Sequence, residues 1–160
     1  MRPAIRSARA AILAGGLIVG VLDIADAFIV HGVRSGASPV RILQSIASGL
    51  LGRDAYQGGA ATAALGAALH LFIATTIAAV YVAASVRVPV LARRPITCGF
   101  VYGLGVFLFM QYGVITLSRI GWRPPVWPVV VNGVAIHMFG VGLPIALLTA
   151  RWHRTRVDRV

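Results

Sequence analysis

Hydrophobic residues run through this chain in four long blocks, roughly residues 10–30, 59–84, 96–117 and 129–150, separated by polar, arginine-bearing links. Each block is long enough to cross about 30 Å of hydrocarbon at ~1.5 Å per residue. A helix satisfies its own backbone groups in lipid, so the pattern predicts four transmembrane helices. Between the first two blocks lies a shorter stretch, about residues 39–52. It opens with Ser38, a suitable N-cap, and Pro39, a suitable first helical residue. Leu43, Ile46, Ala47, Leu50 and Leu51 fall on one of its faces, and Arg41, Gln44, Ser45 and Ser48 on the other. Too short to span, this amphipathic stretch is predicted to lie in the outer interface or to cap the bundle.

The blocks echo one another. Gly66-Ala67-Ala68-Leu69-His70-Leu71-Phe72 aligns without a gap on Gly133-Val134-Ala135-Ile136-His137-Met138-Phe139. Gly16-Leu17-Ile18-Val19-Gly20 matches Gly99-Phe100-Val101-Tyr102-Gly103. The chain therefore reads as one all-α integral membrane domain, residues 1–160, made of two parallel two-helix repeats at 10–84 and 95–150. A pseudo-twofold along the membrane normal would relate them. The links differ: the second repeat replaces the amphipathic stretch with residues 119–128, where Pro124, Pro125 and Pro128 predict an extended path. Trp122 and Trp127 suit the outer interface belt and Trp152 the inner one. Small residues recur on helix faces, as at Gly16 and Gly20 or Gly99 and Gly103, where close backbone approach holds membrane helices together.

Composition agrees with a membrane domain: 58% of residues are hydrophobic and mean hydropathy is +0.85. All fifteen positive charges are arginine. Arg2, Arg6, Arg9, Arg87, Arg93, Arg94, Arg151, Arg154, Arg156 and Arg159 fall on one predicted side, against Arg34, Arg41, Arg53, Arg119 and Arg123 on the other. The positive-inside rule puts both termini in the cytoplasm. The net charge of +11 is thus a topology signal with attraction to anionic lipid, and nucleic-acid binding is excluded. The single cysteine, Cys98, rules out an internal disulfide or dithiol pair and reads as a small packing residue. Three arginines, an apolar stretch and Ala25-Asp26-Ala27 imitate a signal peptide, but the apolar run continues through Phe28, Ile29 and Val30, so the segment is expected to stay as a helix.

Candidate chemistry lies inside the spans: Asp23, Asp26, His70, Gln111, Tyr112, Asn132 and His137. A charged group at mid-bilayer costs about 2.5–3.5 kcal/mol on insertion scales, so such groups face the interior, pair, or line water. Position along the helices puts His70 and His137 within about 3 Å of the midplane and Asp23 roughly 4–5 Å outward of it. Gln111, Tyr112 and Asn132 lie in the outer half, whereas the inner half offers mainly Thr75 and Thr76. The expectation is a polar vestibule open outward and closed by apolar packing below.

For the two histidines three readings stand: interhelical hydrogen bonding, a proton-titrating or solute-binding site with Asp23 and Asp26, and axial ligation of a b-type haem. Glycines four residues before each histidine would leave room for a porphyrin. Asp23 and Asp26 are neighbours on one helix face, with Arg34 or His31 as candidate partners from the outer edge. Pro144 frees the Gly140 carbonyl one turn from His137 and is expected to bend the last helix. His31 and His153, at helix ends, are expected to be solvated or interfacial. No metal-ligand spacing, Ser/His/Asp set or phosphate loop occurs, and the only other acids are Asp54 and Asp158, so enzymatic catalysis is not expected.

His70-Leu71-Phe72 with the following Ala78-Ala79-Val80-Tyr81, the glycine-rich third helix and Gly133 to His137 resemble the YagU-like family of small bacterial inner-membrane proteins. The resemblance implies four helices and an inner-membrane location, and it assigns no residue a role. Three functions follow as expectations. One is a transport-related or proton/solute-responsive protein using Asp23, Asp26, His70, His137, Gln111 and Asn132. The others are a haem- or quinone-associated electron-transfer subunit and a structural or assembly factor. Gly-x-x-x-Gly faces leave a homo-oligomer open.

Overall fold

A computed structural model describes residues 7–157, with side chains through residue 155. Arg2, Arg6, Asp158, Arg159 and the side chain of Arg156 lie outside the described residues. Four helices are long and apolar enough to cross a membrane: α1 (Ala8–Ser35), α3 (Gly59–Arg87), α4 (Pro95–Leu117) and α5 (Trp127–Thr155). The shorter α2 (Pro39–Leu51) precedes α3, and a single turn, Val90–Arg93, joins α3 to α4. Among the described residues there is no strand.

Local chemistry sets the ends. Ser7 accepts a hydrogen bond from the Ala10 N–H and Ser38 one from the Arg41 N–H, so each caps a first turn. α1 stops at Gly36, which takes φ +64° and returns its N–H to the Gly32 carbonyl. Pro39, Pro95 and Pro128 each sit in the first turn of a helix, where a missing N–H costs nothing. Pro128 therefore lies in the first turn of α5 instead of prolonging the link, whose irregular part is confined to residues 121–126.

Packing follows the small residues. Gly16 lies against Thr75 and Gly20 against His70, Leu71 and Ala74, which sets α1 antiparallel to α3. Gly99 lies against Gly142 and Leu143, and Gly103 against His137 and Met138, which sets α4 antiparallel to α5. The Gly20 and Gly103 contacts thus fall on the same steps of the two echoed motifs. α1 also runs beside α5, with Gly15 near Ile145 and Leu148. The start of α1 and the end of α5 lie together at one end of the bundle, where Ala11 packs against Trp152, called here the terminal end; the other is the loop end. Large apolar side chains such as Leu17, Phe72, Val101, Phe109 and Phe139 point outward, a surface suited to lipid.

Two further features depart from the sequence reading. The first is α2, whose buried stripe is Ile42, Gln44, Ala47 and Ser48, while Leu50 is exposed. Gln44 turns inward because its Nε2 donates to the Gly59 carbonyl, at 3.1 Å, and to Thr62 Oγ1. The helix is held close by the Leu43 backbone, which sits directly over Gly66. The second is Trp152, which packs inward against Ala11 and Val82 instead of presenting its ring outward.

Both α4 and α5 contain a π-helical turn, Phe109–Val114 and His137–Gly142. The second has an identifiable cause. Pro144 cannot donate to Gly140, and its ring crowds that carbonyl, so the preceding turn widens. In the first, Thr116 Oγ1 donates to the Gln111 carbonyl five residues earlier.

Candidate functional site

The middle of the bundle holds a cavity of about 60 Å³ with walls from all four long helices. Asp23 comes from α1, His70 from α3, Met110 from α4 and His137 from α5. Val19, Ala74, Ile77 and Val141 supply apolar wall, so Asp23, His70 and His137 are its titratable groups. A void this size holds a few waters, each needing at least ~10–15 Å³ by the same measure.

Each imidazole is held by one nitrogen. His70 Nε2 lies 2.8 Å from the Gly20 carbonyl across the α1–α3 contact. His137 Nδ1 lies 2.8 Å from the Gly133 carbonyl on its own helix. A carbonyl only accepts, so these nitrogens carry the hydrogens, and in the neutral rings His70 Nδ1 and His137 Nε2 are bare acceptors. The echoed motifs therefore use their histidines differently, one between helices and one within a helix. Phe107 meets the His137 ring edge-on at a centroid distance of 5.5 Å and packs over Gly133.

The two aspartates part company. The Asp26 carboxylate accepts from Asn132 Nδ2 at 2.7 Å, which ties α1 to α5 just loopward of the cavity. Arg34 and His31, expected as partners from the outer edge, do not take that place. Asp23, one turn deeper, lines the cavity and is half-buried, and among the described residues no hydrogen bond or ion pair reaches its carboxylate. Gln111 stands on the π-turn of α4 outside the cavity lining, and Tyr112 is turned outward and exposed. Of the proposed site residues, then, three share a cavity, two bond to each other and Gln111 stands apart.

The Asp26–Asn132 bond gives a direct prediction. Interhelical polar bonds in membranes contribute about 0.6–2 kcal/mol. Asn132→Leu should lower unfolding free energy by roughly that amount, and adding Asp26→Leu should cost less than the sum of the two single changes. Reversible unfolding in mixed micelles measures both.

Toward the terminal end the cavity is closed by tight packing of Val19, Ala78, Tyr81, Val106, Val141 and Ile145. Two tyrosines, absent from the sequence reading of this half, stitch it together. Tyr102 Oη donates to the Ile77 carbonyl at 2.7 Å and Tyr81 Oη to the Leu91 carbonyl at 3.0 Å, with their rings edge to face. His153 is likewise not simply solvated: its Nε2 lies 2.9 Å from Ser85 Oγ and its ring tilts against Trp152. Aromatic residues within an apolar run are the available signal for the tyrosine pair.

A haem does not fit these residues. The space over Gly66 is filled by the Leu43 backbone and the space over Gly133 by the Phe107 ring, so neither glycine leaves room for a porphyrin. The cavity between the histidines, at about 60 Å³, is far below the roughly 300–1,000 Å³ of pockets that take large ligands. Among the described residues no set of His, Cys, Asp or Glu side chains converges closely enough to hold a metal ion. No protein-family model, curated protein or solved structure matches the chain.

Proposed function

We propose that this chain is a small multi-pass protein of the bacterial inner membrane whose mid-bundle site responds to protons or a small solute in a transport-related role. One observation carries the reading: Asp23, His70 and His137, from three different helices, line one cavity. Intramembrane carboxylates are costly to keep, and one without a partner is retained for function more readily than for stability. The site is non-enzymatic in this reading, because it holds no activated nucleophile.

Arginine distribution supports cytoplasmic termini, so the loop end would face the periplasm. The Asp26–Asn132 bond then lies on the outer side of the cavity and the tyrosine-stitched packing on the inner side. Matching Gly20–His70 and Gly103–His137 contacts support two parallel repeats. α2 serves in this scheme as an interfacial cap on the outer half of α3. Arg87, Arg93, Arg94, Arg151 and Arg154 favour anionic lipid head groups at the inner face. The YagU-like resemblance supports the location and adds no residue role.

A second reading, a structural or assembly factor, draws on the two imidazole–carbonyl bonds, which suffice to fix helix register. Thermal stability in lipid nanodiscs between about pH 5 and 8, where histidine changes charge, separates the two. The titrating site predicts a pH-dependent melting temperature whose dependence is lost in Asp23→Asn and in His70→Ala. If both variants keep the wild-type pH profile and differ only by modest destabilisation, the structural reading replaces it.

A further inference from the structure

We propose that the cavity among Asp23, His70 and His137 binds a small protonated amine of the ammonium or methylammonium class. This rests on the solute-site reading above and names its ligand. The argument is an inventory of donors and acceptors. Both imidazole N–H groups are already given to backbone carbonyls, of Gly20 and Gly133. Each neutral ring is left with one unprotonated nitrogen. The Asp23 carboxylate has no donor among the described residues. The rest of the wall, including Val19, Ile77 and Val141, is apolar. The lining therefore offers acceptors and a negative charge but no free donor. These acceptors face one small shared space, and an occupant bearing N–H groups and one positive charge satisfies all of them together.

Other cations fit less well. The side chains share a cavity without converging to metal-bond distance among the described residues. Bonds to a bare transition metal are about 2.0–2.2 Å long, whereas N–H donors reach acceptors at about 2.7–3.2 Å and so span wider gaps. Hard cations such as calcium or magnesium take shells of oxygen ligands, and here a single carboxylate stands beside two nitrogens. The volume of about 60 Å³ admits an ammonium or methylammonium ion. Asp23 supplies the neutralising charge and the imidazoles supply direction.

The full-length protein in nanodiscs tests this by thermal unfolding at constant ionic strength in methylammonium, sodium or tetramethylammonium chloride. Tetramethylammonium has the charge but no N–H. Methylammonium is expected to raise the melting temperature saturably, as a native-state ligand does, with the other two salts without that effect. Asp23→Asn should weaken its apparent affinity at least about tenfold, the loss of one charge-assisted hydrogen bond. Equal effects of the three salts overturn the proposal, as does a methylammonium effect undiminished in Asp23→Asn. The wild-type comparison needs no variant to fold. If methylammonium has no effect while melting still depends on pH through Asp23 and His70, the amine proposal falls and the titrating site stands. If pH has no such effect either, both fall.

Discussion

Gly103→Ala should lower the unfolding free energy by about 2–3 kcal/mol, the cost of forcing extra volume into a contact that cannot give. A Cβ at this position would run into the His137 carbonyl and lie 2.7 Å from the Met138 Cα. These are backbone atoms of the facing helix, so no rotamer change relieves them, and α4 and α5 must move apart. Gly105→Ala is the matched control, because a Cβ there meets nothing within 4 Å. It should be neutral or slightly stabilising, since alanine is the better helix former. Gly20→Ala should fall between them: its nearest obstacle is the end of the Leu71 side chain, at 2.9 Å, which can rotate. Reversible unfolding in mixed micelles ranks the three. Equal losses at Gly103 and Gly105 would show that the α4–α5 contact is not this tight.

The aspartates should respond in opposite directions. Asp23→Leu removes a half-buried carboxylate that has no partner among the described residues and puts apolar volume into the cavity. It should raise stability by about 1–2 kcal/mol, a fraction of the insertion cost of a charge at this depth, and abolish the pH response. Asp26→Leu strips Asn132 of its acceptor and should lower stability by about 1 kcal/mol. Two acids three residues apart on one helix would then differ in sign as well as size. Melting curves of the two variants in one lipid decide it, and a destabilising Asp23→Leu would mean that Asp23 has a structural partner.

The four long helices were legible because lipid imposes length and apolarity on each segment separately. The glycine steps were legible because close approach needs small residues at helical spacing, and Gly16, Gly20, Gly99 and Gly103 all meet a facing helix. Partner choice was not. Asn132 lies 106 residues from Asp26, and no local spacing joins them. The inward turn of Gln44 in α2 depends on the Gly59 carbonyl beyond the next turn, which binary patterning of α2 alone cannot register. The room expected beside Gly66 and Gly133 vanished for a related reason, since the occupants, Leu43 and Phe107, come from other helices. Pro144 announced a disturbance near His137, and the widened turn there follows from it. The corresponding turn at Phe109–Val114 has no proline and carries no such mark.

The central claim is that Asp23 and His137, on the first and last long helices, act on one shared cavity. A double-mutant cycle of Asp23→Asn and His137→Gln, read as unfolding free energy in nanodiscs, tests it most directly. His31, on the same helix but outside the cavity lining, gives the control cycle with Asp23. Shared occupancy of the cavity predicts a coupling of at least about 0.5 kcal/mol between Asp23 and His137, and none between Asp23 and His31. Additivity of the Asp23 and His137 changes to within about 0.3 kcal/mol would contradict it.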